Sequence, residues 1–321
     1  MTWQDLTLLG GGLGLFLFGM KEMGDGLERA AGNSLQRFLE VLTRNRFLGL
    51  LTGLVFTMLV QSSSATTAMV VGFVRAGFLD LHQAVGVIFG ANLGTTITAQ
   101  LVALPLSGIS PVLLLVGALV HCFARGERLR ELGGVLTGFG LLFVGLSLMG
   151  DSLAGLRDRP EVTRMLAVFA RTPFLGVCAG LAVTALLQSS SASIGLLQIL
   201  AAQGVIGLDS AIYVLMGQNI GTTVTAFLAS AGGGRIARRA ALLHLLFNLL
   251  GTLLVSALLR LFPVTAWLAA LSPGDPMRQI ANAHTLFNAC TILFLFPFQD
   301  QLVRWTERLL PDRRSSLDLA R

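Results

Sequence analysis

The string Gln-Ser-Ser-Ser-Ala occurs at residues 61–65 and again at residues 188–192. Each copy divides an apolar stretch into two runs, which are 47–60 and 64–79 around the first copy and 174–187 and 192–205 around the second. Runs of this length form roughly 21–24 Å of helix, which is less than the ~30 Å of hydrocarbon in a bilayer. We therefore predict two re-entrant helical hairpins, 47–79 and 174–205.

The sequence around the two strings is also duplicated. A second pair of similar segments follows the two strings at the same distance. These segments are Gly90-Ala91-Asn92-Leu93-Gly94-Thr95-Thr96-Ile97-Thr98-Ala99 and Gly217-Gln218-Asn219-Ile220-Gly221-Thr222-Thr223-Val224-Thr225-Ala226. Upstream the register slips by one residue, so that Gly24-Asp25 matches Gly150-Asp151. These matches indicate an internal duplication.

The composition assigns the chain to the membrane. Its 321 residues are 54% hydrophobic and only 12% charged, with a mean hydropathy of +0.75, whereas a soluble domain carries about 25% charged residues. This excludes an ordinary soluble domain and predicts a polytopic membrane protein. The other predicted spans, of which the first and third are short, are 6–20, 83–104, 111–124, 132–150, 209–230, 240–260 and 280–300.

The basic residues indicate the orientation. The chain has 23 Lys and Arg against 17 Asp and Glu, and Lys21 is the only lysine. In a soluble protein this excess would suggest nucleic acid, but in a membrane protein it marks cytoplasmic loops. If the hairpins are re-entrant, all basic residues share one side except Arg157, Arg159, Arg164, Arg171, Arg260 and Arg278. We therefore predict a multi-pass plasma-membrane protein, in a bacterium an inner-membrane one, with its N-terminus outside and its C-terminus cytoplasmic.

The same count predicts how the two repeats are related. Three spans (6–20, 83–104 and 111–124) separate the starts of a first repeat, 1–131, and a second, 132–321, which ends in the C-terminal spans and a short cytoplasmic tail. An odd number of spans inverts the second repeat relative to the first, as in many secondary transporters. The predicted fold is an all-α polytopic membrane protein with two inverted-topology repeats, each containing a re-entrant helical hairpin and a broken spanning helix.

The serine strings offer ion-binding chemistry. A helix that restarts at Ser64–Thr67 or Ser191–Ile194 presents unpaired N–H groups and the positive end of its dipole, which suit an oxyanion. Carbonyls at the end of the preceding helix, together with Gln, Asn and hydroxyl oxygens, suit Na⁺. The structural alternative is that these serines are small packing residues bonded to their own helix, and the duplication counts against it.

The Gly-x-Asn-x-Gly-Thr-Thr-x-Thr motifs at 90–98 and 217–225 lie in predicted spans. Their glycines permit a kink and their Asn and Thr residues place oxygens at that depth, although the glycines could instead serve close helix packing. The predicted spans have no Asp or Glu at their centres, which favours coupling to a cation through neutral oxygens over a proton relay.

Two further motifs, His244-Leu-Leu-Phe-Asn248 and His284-Thr-Leu-Phe-Asn288, place His and Asn on one helix face. They lack the partners of a metal site, and a proton relay is the minor alternative to bonds between neighbouring helices. No serine nucleophile has a base and an acid nearby, so we predict that the protein is not an enzyme.

The paired motifs resemble those of the sodium–phosphate cotransporter family, which includes the type II sodium-dependent phosphate cotransporters of animals and short bacterial homologues. The resemblance covers about residues 10–300. It implies Na⁺-coupled uptake of inorganic phosphate by alternating access, with the site between the two repeats.

Residue by residue, the resemblance implies ion-binding roles, which we divide by dipole direction and donor type. The predicted phosphate ligands are Ser62, Ser63, Ser64, Ser189, Ser190 and Ser191. The predicted sodium ligands are Gln61, Gln188, Asn92, Thr95, Thr96, Asn219, Thr222 and Thr223. Na⁺ is the expected coupling ion, and no cofactor, other metal or nucleic acid is expected.

Alternatives remain within and beyond transport. The same fold could carry another anion or couple to H⁺, and a channel or a non-transporting membrane protein belongs to a different class. The residues also leave open a homodimer and whether one hairpin, one repeat or a rigid body moves.

Overall fold

The structure, a computed structural model, describes residues 2–31, 45–156, 159–162 and 172–311. Within these ranges the regular elements are helical and no strand occurs, which confirms the all-α class. The helices are α1 (Trp3–Ala31), α2 (Arg46–Val60), α3 (Ser63–Ala76), α4 (Leu81–Val102), α5 (Ser110–Phe123), α6 (Glu127–Leu153), α7 (Pro173–Leu187), α8 (Ser190–Ala202), α9 (Leu208–Ser230), α10 (Gly234–Leu261), α11 (Val264–Leu271), α12 (Pro276–Leu295) and α13 (Gln299–Leu309), with a 3-10 turn (Phe296–Phe298) before α13.

In the part of the chain that the structure describes, six helical stretches are long and apolar enough to cross a membrane: α1, α4, α6, α9, α10 and the stretch Pro276–Leu309. This confirms a multi-pass membrane protein. The segment predicted at 111–124 is different, because α5 has only 14 residues and forms about 21 Å of helix. It packs along α6, where a Cβ on Gly117 would lie 2.4 Å from the Thr137 nitrogen.

Helix α1 continues well past the predicted end at residue 20. Two ion pairs accompany the extension: Lys21 lies 3.8 Å from Asp25 one turn later, and Arg29 lies 2.5 Å from Glu131 on α6. Asp25, which follows the predicted span 6–20, is therefore inside a continuous helix. Residues 32–44, which follow α1, lie outside the described residues.

The prediction of broken spanning helices is wrong, because α4 and α9 are both uninterrupted. The glycines of the motif serve close packing instead. A Cβ on Gly90 would lie 2.0 Å from the carbonyl oxygen of Leu50 on α2, and a Cβ on Gly217 would lie 1.9 Å from that of Val177 on α7. Each motif glycine thus lets a neighbouring helix approach at backbone distance.

The helix breaks predicted at the serine strings are present. Helices α2 and α3 have 15 and 14 residues, and α7 and α8 have 15 and 13. We call α2–α3 the first helix pair and α7–α8 the second helix pair. The break in each falls within the Gln-Ser-Ser-Ser string.

The His–Asn motifs join α10 and α12 to the motif helices. His244 Nε2 lies 3.1 Å from Asn92 Oδ1 on α4, and His284 Nε2 lies 3.2 Å from Asn219 Oδ1 on α9. All four side chains are buried. These contacts confirm the predicted bonds between neighbouring helices for the two histidines. Asn248 and Asn288 instead donate to the carbonyl oxygens of His244 and His284 in their own helices.

Part of the orientation prediction rests on residues for which no structure is described. The basic residues concerned are Arg37, Arg44, Arg157, Arg164, Arg171, Arg313, Arg314 and Arg321, which lie outside the described residues.

Candidate functional site

Both serine strings line one cavity of about 380 Å³, which we call the serine cavity. The strings are far apart in sequence and meet where the two helix pairs break. The predicted ligands that line it are Gln61, Ser62, Ser64, Gln188, Ser189, Ser190 and Ser191. Ser63 is buried and does not line the cavity.

The two breaks have the same backbone geometry. Gln61 has φ 57° and ψ 22°, and Gln188 has φ 51° and ψ 23°, both in the left-handed region. They are the only non-glycine residues with positive φ in the described part of the chain. Such a conformation is disfavoured for a residue with a side chain, so its occurrence at both matching positions marks the breaks as specific features rather than frayed helix ends.

The residue after each Gln caps the next helix. Ser62 Oγ accepts a hydrogen bond from the Ala65 N–H at 3.1 Å, and Ser189 Oγ accepts one from the Ala192 N–H at 3.2 Å. Capping satisfies one of the N–H groups in the first turn and leaves the preceding ones without a helical acceptor. Two helix N-termini, α3 and α8, therefore offer donors and positive dipole ends to one cavity.

A buried hydrogen bond joins the two helices of each pair behind its break. Thr57 Oγ1 donates to Thr66 Oγ1 at 2.9 Å in the first pair, and Thr184 Oγ1 lies 2.7 Å from Ser193 Oγ in the second. These bonds hold the ends of the two helices together, so the serine strings are presented on a stable support.

The two glutamines differ in their side-chain contacts. Gln61 is buried, and its Oε1 accepts a hydrogen bond of 2.8 Å from Thr98 on α4. Gln188 is exposed, and its side chain has no hydrogen-bond partner among the described residues. The amide of Gln188 is therefore free to contact an ion in the cavity, whereas the Gln61 oxygen is engaged.

Helix α1 supplies charged residues that the sequence predictions missed. Lys21, Asp25 and Glu28 line the serine cavity. Gly24 brings α1 against the first break, since a Cβ there would lie 3.0 Å from the Val60 oxygen. Two signals in the sequence could have identified this wall: the match of Gly24-Asp25 to Gly150-Asp151 and the single lysine.

The remaining predicted sodium ligands do not line the serine cavity. Their side chains bond within their own helices or to the buried histidines described above. The residues are Asn92, Thr95, Thr96, Asn219, Thr222 and Thr223. Their role as sodium ligands stays a prediction.

The sequence predictions also missed Gln218, which lies inside the second motif. Its Nε2 donates to the backbone oxygen of Ser193 at 2.8 Å, while its buried Oε1 has no hydrogen-bond partner in the described part of the chain. Burying a carbonyl oxygen without a hydrogen-bond donor costs free energy unless another group contacts that oxygen. Na⁺ is a chemically suitable partner for it. The matching residue of the first motif is Ala91, so this feature belongs to the second copy alone.

A second cavity, of about 410 Å³, lies at the other end of α8. The serine cavity contacts α8 at Ser190 and Ser191, and the second cavity contacts it at Ile199 and Ala202. Asp151, the residue that the duplication matches to Asp25, lines this second cavity. The two matching acidic residues therefore face different cavities.

Comparison with known proteins identifies related chains. Residues 15–151 and 156–274 match the family model described as Na⁺/Pi-cotransporter. The Bacillus subtilis "Uncharacterized protein YqeW" is 35% identical over 243 residues, which are 75% of this chain and 78% of the relative. No solved structure matches this chain.

Two further relatives carry functional names. The "Putative inorganic phosphate export protein YjbB" of Escherichia coli K12 is 28% identical over 298 residues, which are 93% of this chain and 54% of the relative. The rabbit "Sodium-dependent phosphate transport protein 2A" is 30% identical over 172 residues, which are 52% of this chain and 27% of the relative. The chain thus spans about half the length of the Escherichia coli relative.

Proposed function

Because the chain belongs to the Na⁺/Pi-cotransporter family, we propose that it is a secondary active transporter that moves inorganic phosphate together with Na⁺. The observation that carries this proposal is the convergence of two capped helix N-termini and both serine strings on one cavity. Phosphate is an oxyanion, and helix N-termini with adjacent hydroxyl groups are suited to bind it.

In this proposal the serine strings bind phosphate and neutral oxygens bind Na⁺. Ser62, Ser64, Ser189, Ser190 and Ser191 line the cavity, and Ser63 acts through its backbone N–H. Gln188 and the buried Gln218 oxygen are better placed for a cation than Gln61, whose oxygen already accepts a bond from Thr98. Na⁺ beside phosphate would also reduce the cost of placing an anion at membrane depth. No catalytic residue and no further cofactor enter the proposal.

The proposed architecture has two inverted repeats, 1–131 and 132–321, whose helix pairs are re-entrant from opposite sides of the plasma membrane. The repeated sequence, the matching breaks and the distribution of basic residues support it. The serine cavity and the second cavity at the opposite ends of α8 suit a site that alternates between two sides. The cytoplasmic C-terminus and external N-terminus are part of the same proposal.

The direction of transport has two candidates. An inward Na⁺ gradient drives a symporter toward uptake, which is the direction that we favour. Export is the second candidate, because the Escherichia coli relative is named as a phosphate export protein. An exporter would follow a different gradient, such as that of phosphate itself.

Reconstituted liposomes test both the coupling and the direction. We expect labelled phosphate to accumulate only when Na⁺ is higher outside, and we expect K⁺ in its place to give no accumulation. Uptake that ignores the Na⁺ gradient, or that proceeds equally with a proton gradient, would overturn Na⁺ coupling. Phosphate efflux from loaded liposomes in the absence of any Na⁺ gradient would instead favour export.

A further inference from the structure

We propose that Lys21 is a phosphate-binding residue of the serine cavity. When phosphate binds, the Lys21 ammonium group moves away from Asp25 and contacts the anion. This inference rests on the proposed function, since it concerns how the same cavity recognises phosphate. It adds a charged ligand from α1 to a site that both serine strings otherwise build from neutral groups.

The position of Lys21 in the cavity is the first support. It lines the serine cavity together with Ser62 and Ser190, one from each string. The two strings offer hydroxyl groups, backbone N–H groups and helix dipoles, none of which carries a full positive charge. Lys21 is the only positively charged side chain that lines this cavity in the described part of the chain.

The charge balance of the cavity gives the second support. The α1 wall carries two carboxylates, Asp25 and Glu28, beside the one ammonium group of Lys21. Carboxylates repel phosphate, so an anion in this cavity is most stable where the ammonium group lies between it and the acidic side chains. The anion is expected next to Lys21 on the side of the serines, away from the carboxylates.

The weakness of the contact with Asp25 is the third support. The Lys21 Nζ and Asp25 Oδ2 atoms lie 3.8 Å apart, beyond hydrogen-bond distance, and the side chains are 68% and 40% exposed. Arg29, two turns further along α1, is instead bound at 2.5 Å to Glu131, which is 9% exposed. Arg29 is thus engaged in holding α1 to α6, whereas the ammonium group of Lys21 can move to a stronger acceptor.

The unique lysine makes a direct test practical. In the purified full chain, an N-hydroxysuccinimide ester acetylates Lys21 and the α-amine of Met1, and peptide mass spectrometry reads the two rates separately. We expect phosphate with Na⁺ to slow acetylation of Lys21 by about tenfold or more, while Met1 reacts at an unchanged rate. Equal rates for Lys21 with phosphate and with no anion would overturn the inference.

Variants separate a binding role from a structural one. We expect K21Q to raise the KM for phosphate by about tenfold or more with little change in kcat, and K21R to restore most of the affinity. The matched control is E22Q, which changes the charge of the neighbouring α1 residue that does not line the cavity, and its KM should equal that of the wild type. A KM for K21Q equal to that of the wild type would also overturn the inference.

The outcomes distinguish this inference from the proposed function. If wild-type protein shows no Na⁺-dependent phosphate uptake, the proposed function fails. If wild-type uptake is normal but K21Q keeps its KM and phosphate does not protect Lys21, only the role of Lys21 fails.

Discussion

At the scale of single residues, Gln61 and Gln188 share a backbone conformation but not a role. Both have a left-handed backbone that ends a helix, yet Gln61 is bonded to Thr98 and Gln188 is exposed in the serine cavity. In the proposed site, the side chain of Gln61 therefore supports the helix break, and the side chain of Gln188 contacts the ion.

The first residue-scale prediction follows from this difference. We expect Q188A to abolish phosphate uptake with little change in thermal stability, because the side chain has no partner to lose among the described residues. S190A should behave in the same way. Uptake in liposomes measures the loss of transport, and the melting temperature in detergent measures stability. The control is Q301A, which changes an exposed residue of α13. Normal uptake by both Q188A and S190A would contradict the proposed site.

The second residue-scale prediction concerns the buried histidines. We expect H244A and H284A each to lower the free energy of unfolding by about 2–4 kcal/mol, because each leaves a cavity and an unpaired Asn oxygen. Denaturant or thermal unfolding measures the loss. His82 is a suitable control because it is exposed and its Nε2 lies 3.4 Å from the partly exposed Asp300, so H82A should change stability by less than about 0.5 kcal/mol. Equal stability of H82A and H244A would be inconsistent with the bonds to Asn92 and Asn219.

At the scale of helices, each motif helix packs against the first helix of a pair through glycine. Gly90 lies against the Leu50 carbonyl of α2, and Gly217 lies against the Val177 carbonyl of α7. Since a methyl group at either position would overlap a carbonyl oxygen, the spacing of these helices depends on the absence of a side chain.

We expect G90A and G217A to destabilise the protein by about 3 kcal/mol or more and to reduce uptake, because α2 or α7 must move away. Gly72 of α3 is a matched control, since no atom of another described element lies within 4 Å of its Cβ position. G72A should leave stability unchanged or raise it by about 0.5–1 kcal/mol through its helix propensity. Melting temperature and a chromatographic test of folding measure these effects, and a well-folded, fully active G90A would show that the helices need not pack so closely.

At the scale of the whole molecule, α1, α5 and α6 pack mainly on one another, and α1 and α6 reach the rest of the chain chiefly through α2 and α8. The serine cavity lies along this boundary, between α1 and the breaks of both helix pairs. The second cavity lies along the same boundary at the far end of α8, between α6 and the start of α12. In the proposed function, a relative movement at this boundary exposes the serine cavity and the second cavity in turn.

The proposed orientation predicts the side from which each cavity is reached. In a chain with Cys122, Cys178 and Cys290 replaced by serine, we expect a membrane-impermeant maleimide to label E28C from the cytoplasmic side and S107C from the outside. Both residues are exposed at the edges of their cavities. Labelling in right-side-out and inverted vesicles measures access, and labelling of both residues from the same side would contradict the proposed topology.

Much of the local structure could be predicted from the sequence, because it depends on nearby residues. The low charge, the apolar runs and the polar strings predict a helical membrane protein whose helix pairs break at Gln61 and Gln188. Bonds from the two buried histidines to neighbouring helices were also predictable, although their partners were not, since polar groups in a membrane interior need partners. The family could also be predicted, because the repeated motifs that indicate it are short, local stretches of sequence.

Tertiary structure alone decided which residues share the serine cavity. Lys21, Asp25 and Glu28 join it because glycine contacts and the Arg29–Glu131 pair hold α1 on α6, more than a hundred residues away in sequence. Gly90 and Gly217 permit close packing rather than a kink, and this role likewise depends on which helix lies beside α4 or α9. A sequence pattern records what each segment can form, but contacts between distant helices determine which groups meet, and here they bring the only lysine beside both serine strings.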